Sequence, residues 1–413
     1  MKHYNKEGID ILLENAPKTP RIAVNFFFKV DKKEKLNGVN ALLARLLLQG
    51  TKKYSALQLS KEFEEECIDI SFKSKQDYIK ASLVFLNEDF YKAMDLFKEL
   101  VLNSTFDDFE KEVHKVKGEI ISDLDSPKMK LTDCFVKNIF KNHPYSSTHT
   151  KILEDIDKIT KEDVIEAHKT LLNSKKAIVF VGDFDFVKGE NSLLEYFVKE
   201  FPFMKSEVVQ NEIEDIFSFK ENEKIWLTKN DASQAQILQG TLLNSFNSAD
   251  YPKIAVLNNI LGSSGLSSRL FVNLRDKQGL AYTVRSQYET LLRSAIFNMY
   301  IGTAPMNIEK SLEGFKLELE KLRDVPPSDK ELLGAKENIS GRMKYFSQNN
   351  SQIAAVEGYN FLMGLGLSYN EKFIKEIYNV TNKDVSDMAD MILSLPKLTV
   401  VIAPEEFRPE SFK

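Results

Sequence analysis

The sequence predicts an α+β protein made of two homologous, duplicated domains. Short runs of β-branched and aromatic residues alternate with long amphipathic stretches along the chain, as strands and helices do in a mixed fold. A helix start and the strand after it occur in the first half and again in the second. The 413 residues also exceed one compact core, since a prior of roughly 150 residues per domain gives two or three units.

Composition indicates an ordinary globular protein without affinity for polyanions. Hydrophobic residues make up 43% of the chain and charged residues 28%, which are typical proportions. The 56 lysines and arginines stand against 61 aspartates and glutamates, so the formal net charge is −5, and no basic block occurs. Nucleic acid is therefore not an expected partner.

The cysteines and the hydropathy pattern predict a cytoplasmic protein. Cys67 and Cys134 are the two cysteines, far apart and without the spacing of a zinc or redox motif. The first fifteen residues lack the apolar segment of a signal peptide, and no run approaches the roughly 18 apolar residues of a membrane span. A leader removed before this numbering would leave a periplasmic location open.

The first half contains two strand patterns and a helix framed by glycines. Arg21 to Val30 is β-branched and aromatic, and charged residues follow it. The stretch from Gly38 to Thr51 begins with glycine, ends in Gly-Thr and is filled with helix-forming residues. Ala177 to Val181 predicts a second, buried strand, with a turn at Gly182 and Asp183.

Two stretches of the chain repeat at a constant offset. Residues 156–164 resemble residues 377–385, an offset of 385 − 164 = 221, and each stretch has Thr three residues before Asp, as at a helix N-terminus. Residues 176–181 fall on 397–402 with the same offset. Duplication of a unit explains the match, and chance similarity of two helix starts is the alternative.

The boundary between the duplicated halves is predicted in a polar segment. Residues 205–223 are acidic and lack a helical apolar stripe. The expected domains are therefore 1–210 and 211–413.

The second half contains a small-residue segment, an amphipathic helix and a strand in succession. Gly262, Ser263, Ser264 and Gly265 form the predicted loop. The helix is expected over 267–277, and Gly279 is placed to end it with positive φ. Its apolar side is predicted to comprise Leu266, Leu270, Phe271 and Leu274. Residues 281–289 alternate as a strand, with even-numbered side chains from Tyr282 to Tyr288 on one face and odd-numbered ones from Thr283 to Glu289 on the other.

The duplicated halves, the glycine-framed helix ending in Gly-Thr and the run RDKQGLAYTV together resemble the insulinase/pitrilysin-type zinc peptidases, in particular the processing-peptidase-like branch. The resemblance covers nearly the whole chain. It implies that each domain is a mostly antiparallel sheet packed with helices and that the two form half of a clam-shell.

In that family the opening helix carries His-x-x-Glu-His, in which two histidines bind zinc and the glutamate activates the bound water. The resemblance places Ala41 and Arg45 at the histidine positions, Ala44 at the glutamate and Glu119 at the third ligand. Alanine has no lone pair, and arginine has only donors. One ligand of three cannot hold a catalytic zinc ion, so we expect no metal and no cofactor in this chain.

Glu112 and Glu119 are seven residues apart, and a pair with this spacing usually lies on a solvated helix face. If the fold matches the family, Glu119 faces the opening helix. We then predict that Arg45 replaces the metal as the counter-charge of Glu119, with the two groups closer than about 6 Å.

Histidine offers no substitute site in this sequence. Glu110 and His114 share a helix face, but no third convergent ligand is evident. The histidines are His3, His114, His143, His149 and His168. We expect all of them to be structural or solvated.

The second half matches the family closely in SSRLF and GLAY. The family's arginine and tyrosine, seven residues apart, fall on Arg275 and Tyr282. In active relatives this pair is brought against a zinc site to hold the substrate and polarise its carbonyl. Taken alone, the pair would be better explained by structure, since an arginine near a helix end favours the helix dipole and a strand tyrosine usually packs. The surrounding SSRLF and GLAY motifs favour the functional interpretation instead.

The resemblance implies the non-metal subunit of a two-chain zinc metallopeptidase. Its expected partners are a homologous zinc-bearing subunit with an intact His-x-x-Glu-His and a peptide substrate, with Arg275 and Tyr282 completing the partner's site. The 262–265 loop would line or gate a chamber. The alternatives are a structural or peptide-binding scaffold without a role in hydrolysis, and a homodimer with an unrecognised site.

Overall fold

The computed structural model describes residues 1–206, 211–216, 220–246 and 248–412. The chain divides into two compact units, each made of three segments. Unit 1 comprises Met1–Ile120, Lys151–Ile213 and Lys344–Tyr369, and unit 2 comprises Ile121–Thr150, Glu214–Met343 and Asn370–Lys413.

Helices and strands alternate in both units, as the sequence predicts. Within the described residues the strands are β1 Lys2–Lys6, β2 Ile9–Asn15, β3 Arg21–Lys29, β4 Asp69–Ser74, β5 Tyr78–Leu86, β6 Lys176–Gly182, β7 Glu223–Thr228, β8 Ala235–Leu243, β9 Ala281–Thr290, β10 Ala295–Thr303 and β11 Leu398–Ala403. The α-helices are α1 Val39–Leu46, α2 Ala56–Glu65, α3 Phe90–Asn103, α4 Phe109–Leu124, α5 Pro127–Ile139, α6 His149–Asp155, α7 Lys161–Leu172, α8 Glu190–Glu200, α9 Tyr251–Asn258, α10 Ile308–Asp324, α11 Asp329–Tyr345, α12 Asn350–Leu362, α13 Tyr369–Asn379 and α14 Asn382–Ser394.

Each unit contains one mostly antiparallel sheet. In unit 1 the strand order is β1-β2-β6-β3-β5-β4, and β2 and β6 pair in parallel. In unit 2 the order is β7-β11-β8-β10-β9, and β7 and β11 pair in parallel. The two orders match when β1 is set aside, as duplicated domains require.

Strand β3 is the centre of the core of unit 1 because helices cover both of its faces. Phe26 stacks on Phe97 of α3 with ring centroids 3.8 Å apart. On the other face Phe27 packs against Gly358 of α12, where a Cβ atom would lie 2.1 Å from the ring. A strand that is buried on both faces needs apolar side chains at successive positions. This explains why apolar residues follow one another in RIAVNFFFKV instead of alternating with polar ones.

The sheet of unit 2 also uses a glycine where a helix crosses a strand. At Gly240 of β8 a Cβ atom would lie 2.5 Å from the carbonyl oxygen of Phe297 and 2.8 Å from Cζ of Phe135 on α5. In unit 2 the strand supplies the glycine and the helix the ring, whereas in unit 1 these roles are reversed.

The duplication predicted from the 221-residue offset has exact structural counterparts. Thr160 and Asp163 form a capping box at the start of α7, and Thr381 and Asp384 form one at the start of α14. The Nζ atom of Lys176 donates to the Leu172 carbonyl. At the equivalent positions, Lys397 Nζ donates to the Leu393 carbonyl at 2.9 Å. A lysine, buried in the first half and half-buried in the second, thus satisfies the end of a helix in both halves.

The domains predicted from the duplication, 1–210 and 211–413, remain a prediction. The two compact units do not follow these bounds, because residues 121–150 belong to unit 2 and residues 344–369 belong to unit 1. Within the predicted boundary segment 205–223, residues 207–210 and 217–219 lie outside the described residues.

Among the residues that the structure describes, no helix is both long and apolar enough to cross a lipid bilayer. Cys67 is exposed and Cys134 is half-buried, and both are free thiols. Burial raises the pKa of the Cys134 thiol above its ordinary value.

Candidate functional site

The opening helix α1 begins at a left-handed glycine and a half-buried carboxylate. Gly38 has φ +98°, and its N–H and that of Asn40 donate to Oε2 of Glu34 at 3.0 and 3.1 Å. These N–H groups have no partner within the helix, so Glu34 supplies the missing acceptor. Burial raises the pKa of Glu34, and the backbone hydrogen bonds partly oppose this rise.

Arg45 and Glu119 are in contact, as the sequence predicts. Nη1 of Arg45 donates to Oε2 of Glu119 at 3.0 Å, and Nη2 donates to Oε1 at 2.9 Å. This is the bidentate geometry in which a guanidinium binds a carboxylate most strongly. Ala44, at the position of the family's catalytic glutamate, is 3% exposed, and Ala41 lies one turn before Arg45.

Glu112 is a second carboxylate bound to Arg45, and it is buried rather than solvated. Its side chain is 1% exposed, and Arg45 Nε donates to its Oε2 at 3.0 Å. Lys115 donates to the other oxygen at 2.6 Å. Burial on its own lowers the pKa of Arg45, but the hydrogen bonds that it donates to Glu119 and Glu112 outweigh this effect, and the pKa is raised.

The side chains of this site do not fit a zinc ion. Zinc would need three ligands with free lone pairs, and the carboxylates of Glu112 and Glu119 are engaged by Arg45. Across the described parts of the chain, no group of three or more His, Cys, Asp and Glu residues could hold a metal ion.

The histidines are dispersed over the structure. His3 Nε2 contacts Asp10 at 2.9 Å, and His168 Nε2 contacts the Val101 carbonyl at 2.8 Å. Further contacts join His143 to the Glu214 carbonyl and His149 to Asp123, and His114 is exposed.

The segment predicted as a loop at 262–265 is helical at its start, which corrects the sequence interpretation. Residues Asn259–Ser263 form a π-helical turn, and Gly262 is so close to β9 that a Cβ atom would lie 2.2 Å from the Ser286 nitrogen. The Ser263 carbonyl accepts a hydrogen bond from Arg342 at 3.0 Å. Ser264 is half-buried, whereas Gly265 is exposed with φ +95°.

The predicted helix over 267–277 differs from the structure in two respects. Residues Phe271–Lys277 form a π-helix rather than an α-helix. Leu266, expected on the apolar side, is 73% exposed, whereas Leu270 and Leu274 are fully buried. Leu266 precedes the helix and so does not share its periodicity. The predicted helix end is confirmed, since Gly279 has φ +60°.

Arg275 and Tyr282 lie together, with Phe271 on the other side of the guanidinium. The carbon Cζ of Arg275 lies 4.4 Å from the Phe271 ring centroid and 4.7 Å from that of Tyr282. Nη1 donates to the Tyr282 carbonyl at 2.8 Å. The Tyr282 side chain is 77% exposed. The rings fix the guanidinium by cation–π contact, and no carboxylate among the described residues pairs with it.

Family models identify both halves of the chain. Residues 11–151 match a model described as insulinase, peptidase family M16, and residues 158–339 match one described as peptidase M16 inactive domain. The chain belongs to the insulinase family.

Similar members of the insulinase family occur in several bacteria. A Rickettsia felis protein named as an uncharacterized zinc protease is 24% identical over 416 residues, covering 98% of this chain and 97% of that protein. A Helicobacter pylori protein named as a non-peptidase homolog, YmxG, is 24% identical over 423 residues, covering 97% and 93%. The crystal structure of a peptidase M16 inactive domain from Pseudomonas fluorescens superimposes with a TM-score of 0.83 at 21% identity, covering 98% of each chain.

This chain is an inactive homologue within the insulinase family. The family assignment and the sequence agree with this, because no His-x-x-Glu-His motif occurs in the chain. The Helicobacter pylori relative is likewise named as a non-peptidase homolog.

Two contacts were missed in the sequence of this insulinase homologue, although spacing could have revealed them. Lys115 is three residues after Glu112, and Phe271 is four residues before Arg275. Such pairs meet on a helix surface. The burial of Glu112, by contrast, had no local signal, since it depends on the packing of α1 and α4.

Proposed function

We propose that this chain is the non-metal subunit of a two-chain zinc metallopeptidase. Arg275 and Tyr282 bind the peptide and stabilise the transition state at the zinc site of a homologous subunit that carries His-x-x-Glu-His. Zinc belongs to that partner, and this chain contributes no metal ligand. Free cysteines at 67 and 134 support a reducing compartment, and we propose the cytoplasm.

The observation that carries this proposal is the condition of Arg275. Its guanidinium lies between two aromatic rings, lacks a carboxylate partner among the described residues, and lies beside an exposed tyrosine hydroxyl. A pre-positioned cation and a neutral donor are what a developing oxyanion requires. A purely structural arginine would be expected to have a carboxylate partner, as Arg45 does.

The segment 262–265 is proposed to line the peptide chamber. Gly262 is fixed against β9, so movement would be restricted to Ser264 and Gly265, where exposure and positive φ support a change of conformation.

A scaffold subunit is the second candidate. The ion pairs of Arg45 with Glu112 and Glu119 favour this scaffold role, because charged groups that pair with one another need no metal or ligand to be stable. In that case Arg275 and Tyr282 would have no effect on hydrolysis.

The first experiment is recovery of the tagged chain from its native lysate, with identification of the chains that co-purify in stoichiometric amounts. We expect a chain of similar length with an intact His-x-x-Glu-His. Recovery of this chain alone, or within an unrelated assembly, would support the scaffold.

The second experiment measures hydrolysis of peptides by the purified complex. Removal of a transition-state donor costs about 3 kcal/mol, so Arg275→Ala is expected to reduce kcat/KM by roughly 10²-fold, and Tyr282→Phe by a similar factor. Lys277→Ala removes a charge from the same segment, where Lys277 contacts Asn273, and should leave kcat/KM unchanged. Full activity of the Arg275→Ala and Tyr282→Phe complexes would reject the proposal.

A further inference from the structure

One face of the sheet in unit 2 carries polar side chains that are not part of the site formed by Arg275 and Tyr282. Strand β9 places Arg285 opposite Tyr300 of β10, and Gln287 opposite Asn298. These residues lie on the face opposite to the buried Val284 and Ser286 of β9, because successive side chains of a strand alternate. Helix α5 packs on the same face, through Phe135 at Gly240.

Arg285 on this face has no counter-charge within the described parts of the chain. Its Cζ lies 5.4 Å from the Tyr300 ring centroid, and its Nε is shielded from solvent without a hydrogen-bond partner. Lys128 of α5 places Nζ 5.6 Å from the same ring. Neither cation pairs with a carboxylate among the described residues. Two cations on one ring repel each other and so favour an anion between them.

Asn298 is a second incompletely bonded group beside this ring. It is 8% exposed, and its Oδ1 has no hydrogen-bond partner. Gln236 already accepts the hydroxyl proton of Tyr300, so that hydroxyl is not available to Asn298. Because buried polar atoms in folded proteins are nearly always paired, an unpaired carboxamide oxygen next to an unpaired guanidinium nitrogen points to a ligand that bonds both groups.

We propose that the face formed by Lys128, Arg285, Gln287, Asn298 and Tyr300, the Arg285 face, binds a carboxylate of an extended peptide. The guanidinium and the ammonium bind the carboxylate, and the peptide's N–H groups bond the carboxamides. Arg285 and Gln287 are two residues apart, so their spacing along β9 is about 7 Å and equals the side-chain repeat of an extended peptide. An inorganic anion would use the cations but leave the carboxamides unpaired.

The carboxylate has two possible sources, an acidic side chain and a free C-terminus. Three six-residue peptides separate them in calorimetric titrations of the full chain. The first has a central glutamate and blocked ends, the second has glutamine there and blocked ends, and the third has glutamine and a free C-terminal carboxylate.

We expect the first peptide to bind the wild-type chain at least about tenfold more tightly than the second, since a hydrogen-bonded charge is worth a factor of this size. Arg285→Gln should abolish this preference, and Lys128→Gln should reduce it. Arg21→Gln, which removes an arginine from β3 of unit 1, is the matched control and should keep it. Binding of the third peptide in place of the first would assign the site to a C-terminal carboxylate.

Equal affinity of all three peptides, no binding at millimolar concentration, or an unchanged preference in Arg285→Gln would overturn the inference. If Arg285→Gln alters the melting temperature, Lys128→Glu provides the test instead. Lys128 is exposed, so reversing its charge should abolish the preference for the first peptide over the second without affecting the fold. The inference is independent of the proposed peptidase role, because these titrations need neither a partner nor hydrolysis.

Discussion

Two arginines, one in each unit, have opposite electrostatic surroundings. Arg45 is bound by Glu112 and Glu119, with a bidentate contact to the latter. Arg275 has no carboxylate partner among the described residues and donates to a neutral carbonyl. A neutralised guanidinium has little affinity left for another anion, whereas one without a counter-charge keeps it.

The difference shows how a buried carboxylate can be kept without leaving an unpaired charge. Two carboxylates facing α1 would repel each other and lose hydration if no cation bound them. Arg45 binds both carboxylates, and Lys115 also contacts Glu112. Among the described residues, no carboxylate neutralises the guanidinium of Arg275. This is consistent with affinity of Arg275 for an anionic ligand.

The largest expected effect is the gain of a metal. The triple variant Ala41→His, Ala44→Glu and Arg45→His restores two histidines at i and i+4 beside Glu119, so we expect about one zinc ion per chain, against none in the wild type. Elemental analysis after dialysis measures it. The control adds Glu119→Gln, which removes the third ligand and should reduce the zinc content. A triple variant without zinc would mean that the Arg45 contacts do not mark the metal position.

The second effect is on stability and compares the arginines directly. Arg45→Met leaves Lys115 as the remaining cation beside the buried Glu112, so we expect the free energy of unfolding to fall by about 2 kcal/mol. Breaking a fully buried ion pair costs about 3–5 kcal/mol, and the loss is smaller here because Arg45 is partly solvated. Arg275→Met should cost less than about 0.5 kcal/mol, since it leaves no charge unpaired. Urea denaturation measures both. Equal costs would remove the contrast between the two sites.

The third effect separates the two carboxylates of Arg45. Glu112→Gln is expected to cost about 1 kcal/mol because the side chain is 1% exposed. Glu119→Gln should cost at most about 0.5 kcal/mol, because its carboxylate is 57% exposed and screened by water. Chemical denaturation at two salt concentrations tests this, and only the effect of Glu119→Gln should shrink with salt. The opposite order would place the buried charge on Glu119.

The smallest effect concerns a feature that both halves retain, the capping boxes. The hydrogen bond from Lys35 and those from Thr160 lower the pKa of Asp163 below its ordinary value. Burial raises the pKa of Asp384, but bonds from Thr381 outweigh it, so that pKa is lowered as well. A carboxylate whose pKa is lower in the folded state than in the unfolded state stabilises the protein at pH values above its ordinary pKa. This stability is lost as the pH falls through the folded-state pKa.

Asp163→Asn and Asp384→Asn should therefore each cost about 0.5–1 kcal/mol at pH 7. The cost should begin to shrink as the pH falls below the ordinary aspartate pKa of 3.8, and it should be lost once the pH has fallen through the lower folded-state pKa. Melting temperatures from pH 7 to pH 3 measure this. A cost that does not shrink between pH 7 and pH 3 would mean that the amide geometry, rather than the charge, is responsible.

Local features were predictable because they depend on neighbouring residues. The threonines at 160 and 381 and the aspartates three residues later define capping boxes by their spacing alone. The strand at Arg21–Lys29 followed from an apolar run. The π-helix at Phe271–Lys277 was missed because its side chains have nearly the apolar pattern of an α-helix.

The sequence by itself determined that this chain has two duplicated α+β halves and that its zinc motif is absent, because spacing and residue type are properties of the chain. It also supplied the Arg45 and Glu119 pair, once the family resemblance placed two helices together. Only the tertiary structure decided that Glu112 is buried and that residues 344–369 pack in unit 1. It also decided that Arg285 has no counter-charge among the residues that the structure describes. Burial and pairing depend on which distant segments meet, and no local pattern in the chain records those contacts.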